Sequence, residues 1–438
     1  MARRHLLIGS GPGSMAAAEA IRGQDSGAEI LVLAAESHGY YSRPGLAYFL
    51  AKEVPEHGLF PFSPQDIARL DIRMVHDRAV SIDARGHQVM LGSGRNLPYD
   101  RLLIATGSLA IPLSVPGAGL DGVLKLDDMD DARALIRRSH DTKTAVVVGG
   151  GITAIEIVEG LRAHKVHVHY FMRRDRYWSN VLSESESRIV EEGLQARGVD
   201  IHYFTELARV VGERDRVVAV ETADGTRVPC NMVAVAIGVV PQIDLARSAG
   251  LDCGRGVLVD EYLRSSNRDI FAAGDVAEVR DPDSGRPTLD VLWNSAVAKG
   301  RVAGMNMAAE PTHVYDKGAP LNVTRLAGFK ITIIGTVGSG KDSDLEGLAR
   351  GDSETWRRLG DSTVVECQSG DTHIRLALGE NTIAGAVVMG DQGLSFALQD
   401  LIVAEVDVSP IMAQLRAPNA PLAEIVQDFW QDWKDHRA

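Results

Sequence analysis

The sequence predicts an α/β fold in which one parallel-sheet nucleotide fold is interrupted by a second and followed by a smaller α+β domain. Three observations carry that expectation. An apolar strand, a glycine turn and a helix pattern occur in that order at Gly9 and again at Gly149. Two later apolar strands, Tyr99 to Ser108 and Val233 to Pro241, end in small-residue turns of the kind that carry a chain between domains. From about Tyr315 the pattern changes: Ile331 to Ile334 and Ala384 to Met389 read as strands with a polar stretch from Gly340 to Asp361 between them, and 393–405 and 420–434 read as amphipathic helices. At 438 residues the chain is also too long for one ordinary core.

The first unit is His5-Leu-Leu-Ile-Gly9-Ser-Gly11-Pro12-Gly13-Ser14, followed by an alanine-rich helix to Ile21. Gly9 permits the tight turn, Gly11 lets backbone approach a pyrophosphate, and the helix start offers unpaired N–H groups and partial positive charge. Ser14 stands at the third small position. The second strand, Ile30 to Ala34, ends just before Glu36, placed to accept hydrogen bonds from a ribose.

The second unit is Ala145-Val-Val-Val-Gly149-Gly-Gly151-Ile152-Thr153-Ala154-Ile-Glu156. The strand after it, Val166 to Met172, has no acidic residue at its end and runs instead into Arg173-Arg174-Asp175-Arg176. Guanidinium groups there suit a 2′-phosphate and favour NADPH over NADH; the alternative is a solvated strand-end cluster. Further on, Ala105-Thr106-Gly107-Ser108 and Gly238 close the two crossovers, and Gly274-Asp275 follows the strand Asp269 to Ala273. A carboxylate at a helix start either caps that helix or holds ligand hydroxyls.

Composition removes several function classes. A net charge of −13 argues against nucleic acid as a partner, and no apolar run approaches the ~20 residues that span a bilayer. Cys230, Cys253 and Cys367 are scattered, with no Cys-x-x-Cys and no zinc spacing, as expected of packed or surface thiols in a reducing, cytoplasmic compartment. His167 and His169 alternate on one strand face, a spacing that could hold a metal, but no third ligand is in sight, so they read as structural surface histidines and no metal site is expected.

On these residues the chain resembles the pyridine nucleotide-disulfide oxidoreductase superfamily over roughly residues 4 to 337. The resemblance implies two Rossmann-like dinucleotide-binding domains. An FAD domain (1–115 and 241–312) would be interrupted by an NAD(P)H domain (116–240), with a C-terminal interface domain (313–438) supporting a homodimer. It places FAD on Gly9, Gly11, Pro12, Gly13, Ser14, Glu36, Thr106, Gly107, Gly274 and Asp275. NADP(H) or NAD(H) falls on Gly149, Gly151, Ile152, Thr153, Arg173, Arg174 and Gly238. Glu156 falls near nicotinamide and flavin together.

Within the superfamily, Tyr40-Tyr41-Ser42-Arg43-Pro44-Gly45-Leu46 resembles the Tyr-x-Arg-Pro-x-Leu segment of the rubredoxin, ferredoxin and nitrite reductase flavoproteins, where disulfide reductases carry cysteine. Tyr48 departs from that pattern, which has lysine. Trp293 falls on a helix like the one that lines the flavin pocket, its alternative place being the core. The expected activity is electron transfer from NAD(P)H through FAD, with Glu156, Tyr41 and Arg43 orienting the reactants. The acceptor is a small electron-carrier protein; a small molecule such as dioxygen or a quinone, and a redox-responsive interaction protein, are the competing readings.

Overall fold

In the computed structural model, residues 2–280, 285–338, 348–357 and 362–436 are described. The first strand, Arg4–Ile8, lies at the centre of a five-stranded sheet, parallel to Glu29–Ala34 on one side and Arg101–Ile104 on the other. Ile270–Ala272 completes this sheet at one edge, although it follows every strand of the second sheet in sequence. The second sheet, also five-stranded, is built around Thr144–Val148 with His167–Phe171, Val199–His202, Met232–Val235 and Val123–Lys125. One nucleotide fold is thus inserted in the other. The crossover segments meet: Ser108–Ala110 pairs antiparallel with Val239–Pro241, and Thr106 and Gln242 exchange hydrogen bonds beside them.

Both glycine turns follow from backbone geometry. Gly9 has φ of 110° and Gly149 of 151°, and a Cβ would lie 2.2 Å from the Ala105 carbonyl oxygen at the first and 2.1 Å from that of Ala236 at the second. Each turn hands its strand to a helix, Pro12–Gln24 and Ile152–Ala163. The first helix packs closely on Trp293–Ala308, because a Cβ on Gly300 would stand 2.1 Å from the Gly13 carbonyl oxygen. That contact brings Trp293 and Gly274 to the mouth of the first glycine turn.

The C-terminal region forms a five-stranded antiparallel sheet whose strands include Phe329–Gly335 and Ile383–Met389, backed by Ser395–Val403 and Leu422–Asp435. Both expected strands and both expected helices are present. Thr363–Ser369, Thr372–Leu378 and the short helix Ser409–Leu415 are additions to the sequence reading. Of the polar stretch expected between 340 and 361, the residues 340–347 and 358–361 lie outside those described. One local expectation is corrected: Gly274-Asp275 begins a single 3₁₀ turn, Gly274–Val276, and the chain continues as the strand Ala277–Arg280 rather than as a helix. No described helix is long and apolar enough to cross a membrane.

Candidate active site

A cleft of about 1030 Å³ opens along the carboxyl ends of the first sheet, where open α/β sheets place their ligands. Gly9, Gly11, Pro12 and Gly13 line it at one side, Thr106, Gly107, Gly274 and Asp275 at another. A Cβ on Gly11 would meet no atom within 4 Å, so this backbone faces open space at the helix start. A cavity over backbone N–H groups at a helix start fits a dinucleotide pyrophosphate, and these residues would suit the FAD that the resemblance places here. Asp275 accepts from Ser108 Oγ at 2.6 Å and keeps its carboxylate on the cleft wall. Ser14 is the exception: it is fully buried in the helix, its hydroxyl without a protein partner, so its small size serves packing.

Glu36, Tyr41 and Arg43 form one assembly on the cleft wall. The Tyr41 hydroxyl donates to Glu36 Oε2 at 2.6 Å and accepts from the Met129 amide at 3.1 Å. Arg43 pairs with the other Glu36 oxygen, stacks its guanidinium 5.4 Å from the Tyr41 ring centre and donates to the Asp127 carbonyl. Tyr41 is buried, and burial drives its hydroxyl well above the usual phenol range. It remains a neutral hydrogen-bond donor that fixes Glu36.

Glu156 and Ile152 reach the same cleft from the second glycine turn, so the two nucleotide folds share one cavity. Glu156 keeps some solvent contact there yet is surrounded by protein, and its carboxyl is pushed up to about 7. Burial is the main cause; Arg350 opposes it and Glu159 adds to it. Tyr48, standing where the family pattern has lysine, lines the cleft with Arg325 5.8 Å from its ring centre. Trp293 is 46% exposed on the cleft wall, which settles its position outside the core.

Sequence reasoning missed Asp127 and Arg350. The segment 348–352 crosses from the C-terminal region to the second glycine turn, held by the Val239 amide on the Leu348 carbonyl and by reciprocal bonds between Val291 and Gly351–Asp352. Ala349 lies against Gly151, where an added Cβ would come within 2.6 Å of the Ala349 methyl. Arg350 pairs with Asp127, and together with Lys125 it overcomes burial to hold that carboxyl below its usual range. No motif announces this segment; its position depends on a contact some 200 residues distant in sequence.

Gly151, Thr153 and Gly238 line a small adjoining cleft under this segment, while Gly149 shapes the turn. Arg173 and Arg174 are exposed just beyond the carboxyl end of His167–Phe171, at the same end of the sheet as Gly149. Cys230, Cys253 and Cys367 all stand outside the cleft.

Two joined nucleotide folds that share a cleft free of thiols define a two-dinucleotide oxidoreductase. The sequence profile of the pyridine nucleotide-disulphide oxidoreductase family matches residues 3–300, and the chain belongs to that family as an FAD-dependent NAD(P)H oxidoreductase. Among its relatives, the ferredoxin–NAD(+) reductase component of the biphenyl dioxygenase system of Paraburkholderia xenovorans is 34% identical over 80% of this chain and 84% of its own. Rubredoxin-NAD(+) reductase of Pseudomonas putida is 27% identical over 70% of this chain and 80% of its own. The same fold occurs in a ferredoxin reductase of Rhodopseudomonas palustris, with a TM-score of 0.85, 24% identity and coverage of 97% of this chain and 100% of that one.

Proposed function

We propose that this chain is the reductase of a short electron-transfer chain, oxidising NAD(P)H and delivering electrons one at a time to a small iron–sulfur or rubredoxin-type carrier protein. The observation that carries this reading is the shared cleft with no cysteine on its wall, which leaves no thiolate to relay electrons to a disulfide. The relatives named for ferredoxin and rubredoxin reduction support the carrier as acceptor. Bound FAD would supply the conversion of a two-electron hydride into single electrons. Gly9 to Gly13 and Asp275 hold its phosphates and ribityl chain, Glu36 its ribose, and Glu156 orients the nicotinamide. In this reading the domain boundaries fall near residues 115, 240 and 312, and the chain works in the cytoplasm as a homodimer.

Anaerobic stopped-flow bleaching of the flavin near roughly 450 nm with NADPH and NADH, followed by reoxidation with carrier proteins, tests the reading. Fast bleaching and fast oxidation by one carrier are expected. Reoxidation by dioxygen or a quinone at an equal rate would favour the small-molecule reading, and no bleaching would end both.

Two substitutions sharpen the nucleotide side. Arg173→Ala with Arg174→Ala should raise KM for NADPH about tenfold and leave NADH unchanged, as expected for lost charge-assisted bonds to a 2′-phosphate. Equal effects on both nucleotides would return these arginines to the solvated strand end. Because a nucleotide pyrophosphate on the second helix start needs the space Ala349 occupies, Arg350→Ala should ease displacement of the segment. KM for both nucleotides should then fall about tenfold, the scale of one charged hydrogen-bonded pair. A raised KM would mean instead that Arg350 itself holds the nucleotide.

A further inference from the structure

The two histidines that looked isolated in sequence are not isolated in the fold. His167 and His169 lie on the strand His167–Phe171, and the neighbouring parallel strand Val199–His202 sets Asp200 opposite His169 and His202 opposite Phe171. The two-residue period of a strand then puts His167, His169, Asp200 and His202 on one face of the sheet. His167 Nε2 stands 2.9 Å from Asp200 Oδ2, and His169 Nδ1 stands 3.5 Å from the same oxygen and 3.1 Å from His202 Nε2.

We propose that His167, His169, Asp200 and His202 form a binding site for a divalent transition metal of the zinc class, separate from the nucleotide cleft. Ligand bonds of about 2.0–2.2 Å in a tetrahedral site put neighbouring ligand atoms roughly 3.3–3.5 Å apart. The three separations above, 2.9–3.5 Å, lie close to that value, and one donor atom each from His167, His169 and Asp200 fits within 4.8 Å of the others; His202, in reach of His169, would turn in to complete the set. Hydrogen bonding alone accounts for the cluster less well. A single His169 Nδ1 faces both an imidazole nitrogen and a carboxylate oxygen, and it can donate to only one of them. A cation at the centre takes a lone pair from every member.

Access and position fit the same assignment. The side chains of His167 and Asp200 are 46% and 53% exposed, which gives an ion an entry path and room for a water ligand. His169 is more enclosed, and the His202 ring packs 5.1 Å from that of Phe171, so two of the donors are held in place. His167 pairs with Thr144 and His169 with Val146, whereas Gly149 follows Val148 at the carboxyl end, about 13 Å along the sheet from the His167 row; His202, opposite Phe171, is the member nearest that end, and none of the four lines the nucleotide cleft. Val199–His202 is the edge strand of that sheet, and a bound ion would clip it to its neighbour. Imidazole nitrogens with one carboxylate suit Zn²⁺ and also accept Co²⁺, Ni²⁺ and Cu²⁺.

The test uses the untagged, flavin-loaded full chain. Titration with ZnCl₂ by calorimetry should give one site per chain at micromolar or tighter Kd, and CoCl₂ should give the visible bands of a four- or five-coordinate ion. His169→Ala and His202→Ala should each weaken binding at least about tenfold, as should the surface change His167→Ala, which leaves the fold intact. Retained flavin absorbance and an unchanged apo melting temperature certify each variant. Absence of stoichiometric heat and of cobalt bands, or Zn²⁺ affinity unchanged in His167→Ala and in whichever enclosed variants fold, would overturn the proposal.

Discussion

Replacing Gly11 with leucine should yield a folded, colourless protein. The added side chain would meet no protein atom near its Cβ and would extend into the cleft over the first helix start, where it displaces a pyrophosphate without disturbing the sheet. Losing two charge-assisted bonds to backbone N–H groups costs about 3–6 kcal/mol, a drop of more than about 100-fold in flavin affinity. Far-UV circular dichroism like that of the parent, with no visible flavin absorbance after purification in excess FAD, is the expected result. A yellow, stoichiometrically loaded variant would place the flavin phosphates elsewhere. Gly9→Ala is the contrasting case: its φ of 110° and the 2.2 Å approach to Ala105 oxygen strain the fold itself. It should lower stability by about 2–4 kcal/mol whether or not FAD is present.

That contrast also explains what could be read from the sequence. A glycine turn after a buried strand is a local solution to a local problem, so Gly9, Gly149 and the helices they start are written in a dozen contiguous residues. Glu36 was legible because it follows its strand directly. Its pairing was not: Tyr41 and Arg43, singled out by their motif, meet Glu36 through a turn, and the same network reaches Asp127 and Arg350 through tertiary contacts. Pairing between distant segments decides such positions, and periodicity carries no record of it. The same limit hid Asp200 and His202, which stand over 30 residues from His167 but on the adjoining strand, opposite His169 and Phe171. After Gly274 a tight turn and a strand replace the expected helix, because Ala277–Arg280 is claimed by pairing with Val257–Val259.

Glu156→Gln should make the protein more stable at pH 8 and leave it unchanged at pH 4. Burial lifts the Glu156 carboxyl from an ordinary 4.5 to about 7. A folded-state value above the unfolded one means that the native chain binds the extra proton. The stabilisation is complete below about 4.5 and is lost as pH rises through about 7. The lost amount is up to about 3 kcal/mol, an upper figure because the carboxyl keeps some solvent contact at the cleft wall. Glutamine keeps the shape and never ionises, so its melting temperature should exceed that of the parent by a few degrees at pH 8 and match it at pH 4. Under the proposed function the same charge would have a use: an ionised Glu156 near a bound nicotinamide would stabilise the positive charge left by hydride transfer. Flavin reduction in the parent should therefore quicken through pH 7, and in Glu156→Gln it should be slower by about tenfold or more at pH 8 and flat with pH. A variant that gains stability yet keeps the parent's rate and pH profile would leave Glu156 a strained wall residue with no part in hydride transfer. One that loses rate without gaining stability would mean that Arg350 already holds the carboxylate ionised at neutral pH.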